Sequence, residues 1–347
     1  MLVLHIGTHK TGTSALQAFL VANAEALRAR GLNYMRAGLG QAMAHHALAW
    51  GSRNFKGRDN AVWADLRAEL ADNPDAINIV SSEGLWFADP ATVAPELEGV
   101  GPVKVIVYLR RQDRYLQSLY KQGVTSGRRS KFETWRIQQE DRGDFLTVLR
   151  QWADAFGKEN IDVRPYDRPE GRVDVTADFF DAIGADVRDL LDARNPDARW
   201  RHNPSPRREL LMLLRALNRT PYELQHDKFF WAVVHGKRDL VASGDLLSHD
   251  ECAKLVELYA ESNRTIEEEF YGGKVLFPPL EAKEPPAPWG IDDDETMRMT
   301  AHFLSKLIEA TLAGAVVPEG EESKRWSPQK AGKNKKKNRQ SSSEEED

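Results

Sequence analysis

The 347-residue sequence contains little cysteine, no long apolar run and no large excess of charge of either sign. Its one cysteine, Cys252, excludes a disulfide within a single chain and favours a reducing compartment. A reactive thiolate needs an electropositive setting, whereas Cys252 lies in a charged, helix-like stretch with acidic neighbours. We therefore expect an ordinary, partly buried thiol rather than a nucleophile.

The lack of long apolar runs and of excess charge limits the compartments and binding partners that we expect for the protein. No run approaches the ~18 apolar residues that span a bilayer, and the N-terminus lacks the basic region and long apolar stretch of a signal peptide. These features predict a cytoplasmic protein with no integral membrane segment. The formal net charge of −5, with 48 basic residues spread along the chain, gives no reason to expect nucleic-acid binding. No cluster of His, Cys, Asp or Glu has metal-ligand spacing, so we predict no metal site.

Four short apolar runs predict β-strands, at residues 2–6, 77–80, 103–109 and 161–166. Segments with helical spacing separate them, and this alternation is typical of an α/β fold with a parallel sheet between two layers of helices. Sheets of this kind bind ligands at the carboxyl ends of their strands. Three of the four runs end there in polar or charged residues, which makes that edge the expected site.

The C-terminal half, from about residue 170, has mostly helical spacing. We predict a single α/β domain over residues 1–315 and a disordered tail over residues 316–347, because the tail's low-complexity, charged composition cannot form a core. The basic run at 333–339 fits a solvated tail, and polyanion binding is its alternative.

A glycine-bearing loop separates the first predicted strand from the first predicted helix. Backbone N–H groups in such a loop, followed by a helix N-terminus, bind phosphate or sulfate oxygens. The glycines allow close approach, and the hydroxyls of Thr13 and Ser14 can act as further donors. The nucleotide-triphosphatase pattern needs lysine directly after the second glycine, but Thr13 stands there, and no predicted strand ends in an aspartate for Mg²⁺. The candidate ligand-binding residues are Gly7, Thr8, His9, Lys10, Thr11, Gly12, Thr13 and Ser14.

This loop, continuing into Leu16-Gln17, resembles the 5′-phosphosulfate loop G-x-H-K-T-G-T-[ST] of bacterial sulfotransferases, which use 3′-phosphoadenosine 5′-phosphosulfate (PAPS). Arg110, at the end of a predicted strand, and Ser118, eight residues on, resemble the family's pair that binds the 3′-phosphate. Gln112 departs from the proline found in many members, and Arg114 is one place from the second arginine of animal members. The resemblance covers about residues 2–270, with less specific matches at 149–168, 201–205 and 262–263.

The resemblance implies a P-loop-like fold, PAPS as donor, no metal, and in-line transfer of a sulfuryl group to a hydroxyl or amine. Lys10 would face the departing 5′-phosphate. Glu83, just after a predicted strand, is the first candidate for the base, with helix capping or an arginine pair as alternatives; His46 is the rival base. A P-loop kinase or nucleotide hydrolase, or a non-catalytic nucleotide-binding protein, remains an alternative function. The acceptor, whether a glycan, a lipid-linked compound or a small molecule, and the oligomeric state are not readable from the sequence.

Overall fold

The computed structural model describes residues 1–49, 60–169, 171–193, 206–218, 246–281, 300, 302–304 and 306–307. The expected disordered tail at 316–347 and the segment 201–205 lie outside the described residues. The single-domain boundary at residue 315 lies outside them too and stays a prediction.

The fold is built on a five-stranded parallel sheet with the strand order β2-β3-β1-β4-β5. Every neighbouring pair in the sheet is parallel, so each strand is reached by a crossover. The predicted α/β class is confirmed, together with all four predicted strands. The strands of this sheet are β1 Leu2–His5, β2 Leu32–Tyr34, β3 Ile77–Ser81, β4 Val103–Leu109 and β5 Ile161–Pro165. Two short strands, β6 Asp167–Arg168 and β7 Gly171–Arg172, form a separate antiparallel pair.

The described helices lie between the strands and, after residue 174, form a largely helical C-terminal part. Helical spacing of apolar residues runs through 14–29 and through 248–270 in the sequence and predicts one helix in each, but the structure breaks the first at Asn23 and the second at Tyr259. The helices are α1 Thr13–Ala22, α2 Ala24–Arg28, α3 His46–Ala49, α4 Asn60–Asp72, α5 Pro90–Val93, α6 Gln112–Thr125, α7 Phe132–Ile137, α8 Phe145–Phe156, α9 Val175–Ala182, α10 Arg188–Asp192, α11 Arg208–Leu217, α12 His249–Leu258 and α13 Ala260–Phe270.

Alternate residues of the central strands bury their side chains in two separate hydrophobic cores, one on each face of the sheet. Val3 and Ile106 pack with the apolar residues of α1 and α9, whereas Leu4 and Val105 pack with those of α4, α6 and α8. All four strand residues are at most 1% exposed. Because both faces of the central strands are covered, the ends of these strands are the places where a group of polar side chains can reach a ligand. Cys252 is buried in the second of these cores, so its expected burial is confirmed.

The central position of β1 brings three polar segments to one edge of the sheet. His5 at the end of β1 pairs in register with Ser81 of β3 and with Ile106 of β4. The loop after β1, Glu83 after β3 and Arg110 after β4 therefore leave the sheet side by side, at the edge where parallel sheets bind ligands.

Candidate functional site

The loop after β1 bends through backbone conformations that favour glycine. Gly7 and Gly12 have φ angles of 27° and 83°, and Lys10 between them also has a positive φ, of 67°. A Cβ at Gly12 would lie 3.0 Å from the Val175 side chain and 3.3 Å from the ring of Tyr166. Gly12 is therefore required both for the turn and for the close approach of neighbouring side chains.

Threonine hydroxyls fix the shape of this loop. The Thr8 hydroxyl donates to the carbonyl oxygen of Tyr108 in β4 at 2.8 Å, and the Thr11 hydroxyl donates to the carbonyl oxygen of Thr8 at 2.7 Å. Both hydroxyl protons are donated to backbone carbonyl oxygens, so these two hydroxyls stabilise the loop and do not donate to a ligand. Helix α1 begins at Thr13 without a side-chain cap, so its first amides remain available to an anion.

Arg110 contacts both predicted anion-binding segments. Its Nη1 donates to the Ser118 hydroxyl at 2.6 Å and to the carbonyl oxygen of Lys10 at 3.5 Å. Its Nε donates to Asp167 at 3.2 Å, and its guanidinium lies 5.4 Å from the centre of the Tyr166 ring. The structure thus brings Arg110 and Ser118 together, as their spacing predicted, and places them against the glycine loop.

Glu83 lies at the centre of the site and is only 8% exposed. It accepts a hydrogen bond from the Thr13 hydroxyl and a second from Gln17 Nε2, at 3.1 Å. Burial opposes its ionisation, but the Thr13 hydrogen bond and the nearby charge of His9 hold the pKa of Glu83 below its ordinary value. Glu83 is therefore a carboxylate, and the Thr13 hydroxyl, predicted as a donor to the ligand, donates its hydrogen bond to Glu83 instead.

The two adjacent histidines before and in α3 occupy different environments. His46 Nδ1 lies 2.9 Å from the Ser82 hydroxyl, and its Nε2 lies 3.9 Å from Glu83 Oε2. His45 is buried away from the loop, with its Nε2 2.8 Å from the carbonyl oxygen of Met35, and burial lowers its pKa. The structure therefore brings the two candidate bases, Glu83 and His46, together.

A buried polar layer beneath the loop was not predicted. His5 Nδ1 lies 2.8 Å from the Ser81 hydroxyl, and Gln17 Nε2 lies 3.1 Å from the same oxygen while also contacting Glu83. Burial lowers the pKa of His5 to about 4, so this histidine is neutral. His5 is the last residue of β1 and Ser81 is the last residue of β3. Their positions at the ends of two predicted strands could have identified them from the sequence.

Asp167 is a second residue that sequence reasoning missed. It lies two residues beyond β5, is 1% exposed, and is 3.2 Å from Arg110 and 3.3 Å from Arg114. Asp167 directly follows the strand predicted at 161–166, but only the pairing of β5 with β4 shows that it lies beside Arg110. Asp167 therefore forms ion pairs with both arginines, Arg110 and Arg114.

No group of three or more His, Cys, Asp or Glu side chains is arranged to hold a metal ion within the part of the chain that the structure describes. Of the helices described, none combines the length and the apolar character needed to cross a membrane.

Comparisons with known proteins give partial matches. No protein-family model matches the chain. An uncharacterized protein from Archaeoglobus fulgidus is 33% identical over 185 residues, which is 50% of this chain and 47% of that relative, so the match spans about half the relative's length. The crystal structure of a sulfotransferase from Alicyclobacillus acidocaldarius aligns with a TM-score of 0.37 at 19% identity, covering 62% of this chain and 91% of that chain. Neither match is close enough to establish a family.

Proposed function

We propose that the protein is a sulfotransferase that moves a sulfuryl group from PAPS to a hydroxyl or amine of an acceptor. The observation that carries the proposal is the contact between Arg110 Nη1 and the Lys10 carbonyl oxygen, at 3.5 Å. It joins the glycine loop to the Arg110–Ser118 pair in one continuous surface. A donor with anionic groups at its 5′ and 3′ positions needs two such binding segments close together.

The residues fit the two anionic ends of PAPS. The uncapped first turn of α1 supplies amides for the 5′-phosphosulfate. The Nε of Arg110 donates a hydrogen bond to Asp167, and its Nη1 donates to the Ser118 hydroxyl and to the Lys10 carbonyl oxygen. Among the described residues, no group accepts a hydrogen bond from its Nη2. Those remaining donors suit a 3′-phosphate. Arg114 Nη1 lies 3.3 Å from Asp167, which also pairs with Arg110. The two arginines carry one more charge than the single carboxylate, so this group of three side chains has a net positive charge.

Transfer depends mainly on position and charge. In sulfuryl transfer the bond from sulfur to the acceptor oxygen or nitrogen forms while the bond from sulfur to the 5′-phosphate oxygen breaks, and the 3′,5′-bisphosphate leaves. Lys10 and the loop amides stabilise the negative charge that the departing phosphate gains. The loop and Arg110 orient the donor for in-line attack.

The acceptor must also lose a proton. We assign Glu83 as its first candidate base, because Glu83 is ionised and lies at the loop. Its low pKa makes it a modest base, and His46, with its Nε2 3.9 Å from Glu83, is the alternative. Glycans, lipid-linked compounds and small metabolites all carry suitable hydroxyls. The single cysteine supports a reducing compartment, which we take to be the cytoplasm.

The test is binding followed by transfer. Calorimetric titration with the 3′,5′-bisphosphate in the presence of EDTA should give saturable binding, and labelled PAPS should then transfer to a member of a broad acceptor panel. Mg²⁺-dependent ATP binding without bisphosphate binding would support a P-loop kinase or hydrolase instead. Bisphosphate binding with no transfer to any acceptor would support a non-catalytic nucleotide-binding protein.

A further inference from the structure

A buried chain of hydrogen bonds runs from the candidate base to the end of β1. Gln17 Nε2 lies 3.1 Å from Glu83 Oε2 and 3.1 Å from the Ser81 hydroxyl oxygen. The Ser81 hydroxyl in turn lies 2.8 Å from His5 Nδ1. These four side chains are at most 8% exposed. Gln17 belongs to the loop motif, which continues into Leu16-Gln17, and no contact assigned to PAPS involves it.

The direction of this chain follows from what each group can donate. The Glu83 carboxylate can only accept, so Gln17 turns its amide nitrogen toward it, and the same nitrogen donates to the Ser81 oxygen. The Ser81 proton is then left for its other partner, His5 Nδ1. His5 Nδ1 must therefore be unprotonated, which places the ring proton of the neutral imidazole on Nε2.

The opposite tautomer leaves more polar atoms without a partner. With the proton on His5 Nδ1, the Ser81 hydroxyl would have no acceptor, and the bare Nε2 would have no donor among the described residues. With the proton on Nε2, only that N–H lacks a partner in the described part of the chain. Because each unpaired buried polar atom destabilises the fold, the Nε2–H tautomer is favoured.

Packing holds the His5 ring in place beneath the loop. The ring meets the rings of Tyr108 and Phe179 at steep angles, with centroids 5.7 Å and 5.8 Å away. A Cβ at Gly7 would lie 3.1 Å from His5 Nε2 and 2.7 Å from the Thr13 methyl group. Gly7 therefore leaves the space in which the imidazole lies directly under the start of the loop.

We propose that Gln17, Ser81 and His5 are residues that position the candidate base, with His5 as the Nε2–H tautomer. Their part in catalysis rests on the proposed sulfotransferase function. Thr13 donates to Oε1 of Glu83 and Gln17 donates to Oε2, so both oxygens are held and rotation of the carboxylate is restrained. A carboxylate offers about four lone pairs, so capacity remains for the acceptor's proton. The base is thus held in the orientation that proton removal needs.

The tautomer of His5 is measured first, by long-range ¹H–¹⁵N NMR of the full chain with ¹⁵N-labelled histidine, without nucleotide and at neutral pH. Nuclear Overhauser contacts to the rings of Tyr108 and Phe179 assign the His5 signals. We expect an unprotonated Nδ1 and a protonated Nε2. A proton on Nδ1, alone or together with one on Nε2, overturns the proposal. This measurement needs neither PAPS nor an acceptor, so it is independent of the proposed function.

The contact between Gln17 and Glu83 is tested by Gln17→Met, which keeps the length of the side chain and removes the donor. The pKa of Glu83, followed by ¹³C NMR of its carboxyl carbon, should rise. In a PAPS assay kcat should fall about tenfold, as the loss of one charge-assisted hydrogen bond predicts, with KM for PAPS within about twofold. A higher pKa alone would make Glu83 a stronger base and raise kcat, so a fall in kcat identifies the loss of position.

An unchanged or increased kcat in Gln17→Met overturns the positioning role. A chain that sulfates no acceptor counts against the proposed function instead, and the pKa of Glu83 then decides alone. A raised pKa supports Gln17 as the residue that holds the carboxylate, and an unchanged pKa overturns it.

His5→Asn and His5→Leu test the far end of the chain. The two new side chains have nearly the same shape, but only asparagine offers the Ser81 hydroxyl an oxygen near the position of Nδ1. Both variants lose the ring, so kcat in His5→Asn should exceed kcat in His5→Leu by about three- to tenfold, as one neutral hydrogen bond predicts. Equal values in two folded variants overturn the role of His5. The tautomer and the Gln17 variant test the same chain if either His5 variant fails to fold.

Discussion

The Thr13 hydroxyl donates a hydrogen bond to the Glu83 carboxylate, and this contact joins the loop after β1 to the end of β3. Glu83 also accepts from Gln17, one helical turn further along α1. Both donors favour the ionised carboxylate, which is why its pKa stays low although the side chain is buried. Two hydrogen bonds therefore join the candidate base to the first helical turns that follow the loop.

Replacing the Glu83 carboxylate by an amide tests the base. Glu83→Gln keeps an oxygen for Thr13 but cannot take a proton, so turnover with PAPS should fall about 100-fold or more while bisphosphate affinity stays within about twofold. Steady-state kinetics and calorimetry measure the two quantities. His46→Asn is the matched comparison: a larger loss there assigns the base to His46, and near-normal turnover in both variants rejects the pair.

Removing the Lys10 ammonium group should reduce kcat by about 100-fold or more, because charge on the departing phosphate is then less stabilised. Lysine already carries the cost of a φ of 67° at this position, and alanine keeps that cost unchanged. Lys10→Gly removes the same group and also relieves that strain, so an equal loss of kcat in Lys10→Ala and Lys10→Gly in a PAPS assay would assign the loss to the ammonium group. Normal turnover in the glycine variant would contradict the role of Lys10.

Arg110→Ala should weaken binding of the 3′,5′-bisphosphate by about 10- to 100-fold and binding of 5′-AMP by less than about threefold, because only the former carries a 3′-phosphate. Calorimetry with both nucleotides measures the difference, and Ser118→Ala should show the same selectivity with a smaller loss. The substitution also removes one partner of the buried Asp167, so thermal unfolding is recorded in parallel. Equal losses for both nucleotides reject this placement of the 3′-phosphate.

Gly12→Ala should destabilise the fold more than Gly31→Ala. Both glycines have similar positive φ angles, 83° and 75°, so both substitutions carry about 1–2 kcal/mol of backbone strain. A Cβ at Gly12 also meets Val175 and Tyr166, whereas one at Gly31 has nothing within 4 Å. Chemical denaturation measures both free energies of unfolding, and only the Gly12 variant should lose bisphosphate binding. Equal stabilities would show that the neighbours of Gly12 move aside.

The buried His5 should make the fold less stable in mild acid. Its pKa is about 4 in the folded chain and about 6.5 when unfolded, so the unfolded chain binds the proton first as pH falls. The free energy of unfolding should decline between pH 6.5 and 4 by at most about 1.4 kcal/mol per pH unit from this group. His5→Gln should flatten the decline in denaturation curves measured across that range, leaving the part due to other histidines. An unchanged slope would mean that His5 is not neutral in the fold.

Features set by neighbouring residues were predictable from the sequence. The loop at 7–14 lies between an apolar run and a helical stripe, and Arg110 and Ser118 lie on one strand–helix junction, so their separation along the chain decides their distance. Two features of this local kind were missed: β2, whose three residues are too few to show a pattern, and the helix breaks at Asn23 and Tyr259, across which the apolar spacing continues.

Contacts between distant segments were decided only by the tertiary structure. Asp167 meets Arg110 because β5 pairs with β4, and His46 meets Glu83 because the chain after β2 runs beside the end of β3. Arg142 reaches Phe87 across more than fifty residues. The hydrophobic pattern determines which segments are strands and helices, but the order of strands in a parallel sheet depends on how the crossovers pack, and that order selects which side chains meet at its edge.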